Sequence, residues 1–372
     1  MDDVRRPTSS WAIGVAILAS ALALARCSLV VSTDGLSGGA AGLDGAPAPD
    51  GSGAEGGPGA PDAGCGDALA VDPHNCGACG HDCLGGGCAA GRCQPVTLVA
   101  DASLPGYVAL DRDHVYWATW SADGGVHRAP RDGGPPTPVA APQPGTFALA
   151  VDDANVYFST AEGVKRTAKG GGPVSFLGAG DSAEIVLDGE SVIYSVYTDP
   201  ANGGVVRSVP KAGGPVTTLT TGLDGAEGMA IDGPRIYVGQ EKGVSILEID
   251  RESGAKRAIS AQYARRLVVD GDTLFYATFG SPSIWRVPRV GSGSPAQAAT
   301  WTSASGAGNL VRDGANLCWT ASKDPSRVLC APRTGGAAVE IASGQELVGL
   351  AIDERAICWS DKKAGTVSCL AK

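Results

Sequence analysis

The sequence predicts an all-β protein whose larger part is a seven-bladed β-propeller. Three observations carry that prediction. An internal repeat recurs seven times with a period near 40 residues. The composition combines 55 glycines and 24 prolines with only 18% charged and 5% aromatic residues, which suits short strands and tight turns better than helices. The two ends of the repeat region also fit each other as parts of one blade.

The repeat is marked by an aspartate after an apolar stretch, with an apolar pair four and five residues later. The aspartates are Asp111, Asp152, Asp188, Asp232, Asp270, Asp313 and Asp353, and the fifth residues after them are Tyr116, Tyr157, Ile193, Tyr237, Phe275, Cys318 and Cys358. The spacing is the length of a four-stranded blade. In each copy strand one leads into the aspartate, and a tight turn follows. Strand two carries the apolar pair. Strand three begins at Val126, Val164, Val205, Val244, Ile284, Val328 or Val367. Gly-rich turns such as Gly213-Gly214-Pro215 lead to strand four. The last copy stops after strand three, while Pro95 to Val99 reads as a lone strand four. The N-terminal strand is therefore expected to complete the seventh blade and close the ring without a free sheet edge.

Strand two resembles the YWTD and TolB-like classes of propeller repeat, best at Tyr116-Trp117 and Trp359-Ser360-Asp361. The resemblance implies a propeller. The YWTD family has six blades, which stands as the alternative to the seven counted here.

Residues 1–27 read as an export signal. Arg5 and Arg6 precede an uncharged apolar run from Trp11 to Ala25, too short for a bilayer span. Leu24-Ala25-Arg26-Cys27 resembles the lipobox of bacterial lipoproteins, which implies a lipid on Cys27, although Arg26 stands where the family has a small residue. The count of 11 cysteines is odd, and the other ten divide into even groups, which favours the lipid over plain secretion. Residues 28–64 are rich in Gly, Ala, Pro and Ser and are expected to form a disordered tether. The expected location is the cell envelope, as an outer-membrane lipoprotein facing the periplasm or the surface, with a secreted protein as the alternative.

Cys65, Cys76, Cys79, Cys83, Cys88 and Cys93 lie within residues 65–93, a segment with almost no apolar side chains. In an exported chain this predicts a small disulfide knot of undetermined connectivity. Zinc is the competing reading, because Cys76-x-x-Cys79 has ligand spacing and His74 and His81 are near. The cassette resembles Cys-Gly-x-Cys-Gly-x-x-Cys modules ahead of propellers in exported proteins of GC-rich bacteria, a resemblance that implies no activity.

The remaining four cysteines can be paired from the repeat. Two residues into strand three stand Arg128, Arg166, Arg207, Ile246, Arg286, Cys330 and Cys369. This position and the strand-two position both become cysteine in the last two blades only, as facing residues of an antiparallel pair should. Cys318–Cys330 and Cys358–Cys369 are therefore predicted disulfides, since such pairs lie within bridging distance. By the same alignment Arg128, Arg166 and Arg286 are expected to lie across aromatic rings.

Chemistry is less visible. The net charge of −10 and the lack of a basic patch exclude nucleic-acid binding. Of four histidines, His74 and His81 lie in the cassette, His114 in a turn and His127 in strand three, and none has a catalytic or metal-cluster setting. No catalytic residue and no metal ligand is assigned, and no cofactor is expected, with Ca²⁺ or Mg²⁺ in the channel as the alternative. The blade aspartates read as turn caps. The mouth where strand one begins is the expected binding face. Four residues before each aspartate stand Tyr107, Ala148, Glu184, Gly228, Arg266, Asn309 and Gly349, with Glu227 and Arg265 adjacent. Trp120, Tyr197 and Phe279 are placed on the same face. Varied residues on a repeated frame suit recognition. The expected function is a monomeric binding or scaffold module for an envelope protein or glycan, touching the membrane only through its lipid. A metal-dependent hydrolase or lyase at the channel mouth is the alternative.

Overall fold

The computed structural model describes residues 67–372, except 122, 141, 200–201, 244, 279–280, 291–292, 301–305 and 323–324. The export signal, Cys27, the tether, Cys65, Val244 and Phe279 lie outside the described residues.

The described residues form seven antiparallel four-stranded blades. Blade 1 consists of Pro105–Leu110, His114–Thr119, Val126–Pro130 and Thr137–Ala140. Blades 2 to 6 occupy residues 149–179, 182–223, 226–260, 266–300 and 307–344. Blade 7 takes Leu347–Ile352, Ala356–Asp361 and Thr366–Ala371, and Val96–Val99 supplies its fourth strand, paired antiparallel to the third. The N-terminal strand thus closes the ring. Blade 5 has an additional short parallel strand, Gly336–Ala337. First strands of successive blades contact one another all the way round, including blade 7 to blade 1.

The second strands carry the core. Trp117, Tyr157, Tyr194, Tyr237, Tyr276 and Trp319 are among the largest fully buried side chains. Alternation along each strand presses one face against the next blade, so the hydrophobic clusters lie at the seams between blades.

The aspartates do more than cap turns. Asp111 Oδ1 accepts the amides of Asp113 and His114, and Asp152, Asp313 and Asp353 repeat this pattern. Each of the seven carboxylates also receives a cation from the next blade. The pairs are Asp111–Lys169, Asp152–Lys211 at 3.1 Å, Asp188–Arg251, Asp232–Arg289 at 2.6 Å, Asp270–Arg333, Asp313–Lys372 at 2.8 Å and Asp353–Arg131. The backbone amide of every one of these cations bonds a carbonyl in its own blade's turn, two residues after that blade's aspartate. The result is a closed ring of seven latches on the turn face.

The facing-cysteine prediction matches the register. Cys318 stands opposite Cys330 and Cys358 opposite Cys369, each pair bridged with Cα atoms 4.1 Å apart. Tyr116–Arg128, Tyr157–Arg166 and Phe275–Arg286 face each other as well. Two blades depart from the alignment. Arg207 faces Tyr194 rather than Ile193, and Ile246 faces Gly239 rather than Tyr237. In blade 3 the hairpin is lengthened to Ser191–Asp199 and Gly203–Pro210, so counting from its valine misplaces the register. Arg128, Arg166 and Arg286 thus lie across the rings, as the alignment predicts, and each also bonds outside that pair. Arg166 and Arg286 donate to the carbonyls of Lys211 and Thr334 in the next blade, and Arg128 bonds Thr137.

The cassette is oxidised. Cys76 is bridged to Cys88 and Cys83 to Cys93, and Cys79 is disulfide-bonded as well. Zinc needs thiolates, and the one close cluster of potential ligands among the described residues, Cys76, Cys83 and Cys93, consists of bridged sulfurs. The cassette rests on the turn face at the blade 7 to blade 1 seam. Leu84 joins the buried cluster of Val99, Val108, Trp117 and Cys358, and His81 bonds the carbonyl of Lys372.

Candidate functional site

The mouth face lies at the opposite ends of the first strands. There the structure brings the candidates together around one side chain. Arg266 opens the first strand of blade 5 and is only 7% exposed. Its guanidinium donates to the Tyr107 hydroxyl of blade 1, to Asn309 Oδ1 of blade 6 at 3.1 Å and to the carbonyl of Arg265 at 3.0 Å. Glu184 of blade 3 stands 3.5 Å from it. One arginine therefore spans the channel and ties four blades. Asn309 in turn donates to the carbonyl of Val348 in blade 7.

Glu227 lies beside this group and is held by others: Arg265 Nε at 3.1 Å and the Tyr263 hydroxyl. Burial and the Glu227 carboxylate push Glu184 up to about 8. Burial pulls Arg266 down to about 10, so it remains charged at neutral pH.

Beside Arg266 a pocket of about 280 Å³ opens toward blades 5, 6, 7 and 1. Its wall is aromatic. The Trp120 and Phe147 rings stack with centroids 5.7 Å apart, and Tyr107 meets Phe147 at 4.9 Å. Lys362 Nζ lies 4.5 Å from the Trp120 centroid and pairs with Glu346 at 3.1 Å. Thr320, Ser322 and Gln345 add polar groups. Trp120 packs over Gly106, where a β-carbon would come within 2.4 Å of its Nε1. Only glycine fits beneath that indole.

Sequence reasoning placed Tyr107, Glu184, Glu227, Arg266, Asn309 and Trp120 at the mouth, and the structure gathers them there. It missed Phe147, Tyr263 and Lys362. Phe147 was findable, because it occupies the same repeat position as Glu227 and Arg265, five residues before the aspartate. Tyr263 and Lys362 sit in loops that the repeat does not constrain. Tyr197 is engaged elsewhere, with Glu241. The histidines lie away from the pocket. His114 opens the second strand of blade 1 beside Asp111, and His127 is stacked on Trp117 at 5.7 Å, where burial lowers its pKa.

The fold is a propeller of the kind seen in several solved proteins. Virginiamycin B lyase from Staphylococcus aureus, solved as a catalytically inactive variant with quinupristin, superposes with a TM-score of 0.62 at 15% identity, covering 75% of this chain and 98% of that one. The extracellular domain of a putative one-component system, BT4673 from B. thetaiotaomicron, gives 0.57 at 12% identity, over 75% of this chain and 40% of the other. The computationally designed protein Ika8 gives 0.54 at 14% identity, over 74% and 98%. At these identities the likeness is one of fold. No protein-family model matches the chain, and no curated protein matches it in sequence.

Proposed function

We propose that this chain is an exported envelope lipoprotein whose propeller binds a protein or glycan ligand in the pocket at the channel mouth. The observation that carries this reading is where the repeat breaks. The turn face repeats its aspartate and its latch cation in every blade, whereas the mouth positions differ from blade to blade and build an aromatic-walled pocket above a buried arginine. Ligand recognition explains residues that the frame does not need.

The lyase alternative finds less support. The solved lyase was made inactive by replacing a histidine with alanine, and the histidines of this chain stand away from the pocket. Glu184 and Glu227 pair with Arg266 and Arg265 rather than with each other around a common cation position.

Two experiments test the reading. Capture from envelope extracts with the mature protein should retain a ligand that Trp120→Ala and Phe147→Ala together lose, with the fold of the variant checked by circular dichroism. Equal capture by both proteins would remove the pocket from the function. For the anchor, Cys27→Ser should move the protein from the detergent phase to the aqueous phase on phase separation. An unchanged partition would favour plain secretion.

A further inference from the structure

The pairing of charges at the pocket is uneven, and this narrows its ligand. Three cations stand at or beneath it: Arg266, Arg265 and Lys362. Glu227 pairs with Arg265 and Glu346 with Lys362. Arg266 is left with Glu184, which is 3.5 Å away, longer than a charge-assisted hydrogen bond. Its other partners, the Tyr107 hydroxyl, the Asn309 amide oxygen and the Arg265 carbonyl, are neutral. Burial and the neighbouring Glu227 also raise the Glu184 carboxyl to about 8, which makes it a weak counter-ion. A buried guanidinium whose one carboxylate stands beyond a close charge-assisted bond is costly, and a ligand that brings a negative charge offsets that cost.

The rest of the pocket says what carries the charge. Three aromatic rings form its wall, a surface suited to the C–H face of a ring rather than to a linear chain. Ser322 and Gln345, both exposed, offer partners for hydroxyl groups. The volume of about 280 Å³ is at the small end for ligand sites and suits one ring.

We propose that the mouth pocket takes a single carboxylated pyranose unit, a hexuronate of an acidic glycan, with its ring against Trp120, Phe147 and Tyr107 and its carboxylate toward Arg265 and Arg266. This rests on the mouth pocket being the binding site.

The test is calorimetric titration of the mature protein with the methyl glycosides of galacturonate and glucuronate. The matching neutral glycosides of galactose and glucose and a short glutamate-rich peptide are run beside them. The expected result is uronate binding at least tenfold tighter than that of the neutral sugar, weakened by salt and reduced at least tenfold in Arg265→Gln but much less in Arg265→Lys. Because Arg265→Gln also frees Glu227, Lys362→Met provides an independent loss of positive charge and should weaken the uronate by a smaller factor. Neutral sugars binding as tightly as uronates, with Trp120→Ala abolishing both, would overturn the acidic specificity and leave the mouth site standing. Tighter binding of the peptide would overturn the glycan and point to a protein partner. Uronate binding untouched by Trp120→Ala would take the site away from the mouth altogether. No binding of either uronate at millimolar concentration would overturn this proposal, while the envelope capture would still decide the broader reading.

Discussion

The two faces of the propeller are built by opposite rules. On the turn face one device recurs seven times: a repeat aspartate that accepts a cation from the next blade. Among the described residues of the mouth face no charged contact recurs in every blade, and a single arginine joins Tyr107, Glu184 and Asn309 across the axis. Repetition marks what every blade needs in order to hold its neighbour. Departure from repetition marks what the molecule needs only once.

If the latches hold the ring, their effect should scale with burial. Arg131 is 3% exposed and joins blade 1 to blade 7, whereas Arg333 is 43% exposed. Removing one partner of a buried pair costs far more than removing an exposed one. Arg131→Met should lower unfolding stability by about 3 kcal/mol, and Arg333→Met by less than about 1 kcal/mol, both measured by urea denaturation. Equal losses would show that burial does not rank the latches.

The hairpin disulfides come next. Cys358→Ala with Cys369→Ala removes a cross-link between residues 11 apart and should cost about 3 kcal/mol on the loop-entropy model. Because blade 7 is completed by the N-terminal strand, hydrogen exchange should also quicken in Val96–Val99. Protection unchanged there would mean that the bridge does not support closure.

Much of this frame was legible in the sequence because it repeats. The aspartates, the blade count, the closing strand and the facing cysteines each appear at a fixed offset. The latch cations were legible too, since Arg131, Lys169, Lys211, Arg251, Arg289, Arg333 and Lys372 all follow strand three. Their partners were not, because each lies in another blade, and a contact about 60 residues away, or 222 for Arg131, leaves no local pattern. The mouth was legible only as a set of positions. That Arg266 would span the channel to Tyr107, 159 residues earlier, depends on side-chain reach across the axis, which alignment does not encode.

Acid should separate the faces by a smaller effect. Burial would raise the Asp111 carboxyl, but bonds from Lys169, Tyr116 and the amides of Asp113 and His114 outweigh it and hold the group down to about 2. A carboxyl depressed in the folded state contributes stability above its unfolded value of 3.8 and loses it as pH falls toward 2. Allowing for solvent screening, the contribution is about 1–2 kcal/mol. Asp152, Asp313 and Asp353 are lowered as well, so melting temperature should fall steeply between about pH 4 and 2. The fall should be shallower in Lys169→Met, and an identical slope would deny the latch its part in the titration.

The mouth should respond in the opposite direction. Glu184 is raised from 4.5 to about 8, chiefly by burial and then by Glu227. A carboxyl raised in the folded state costs stability as pH climbs past 4.5, and the cost is complete above about 8. Glu184→Gln should therefore match the native protein at about pH 4 and exceed its melting temperature by a small margin at about pH 9. The same substitution removes the carboxylate beside Arg266, so it should preserve uronate binding at neutral pH rather than abolish it. A variant less stable than the native protein in alkali would show that Glu184 is ionised and serves Arg266 as its counter-ion, and the mouth would then carry no charge for a ligand to satisfy.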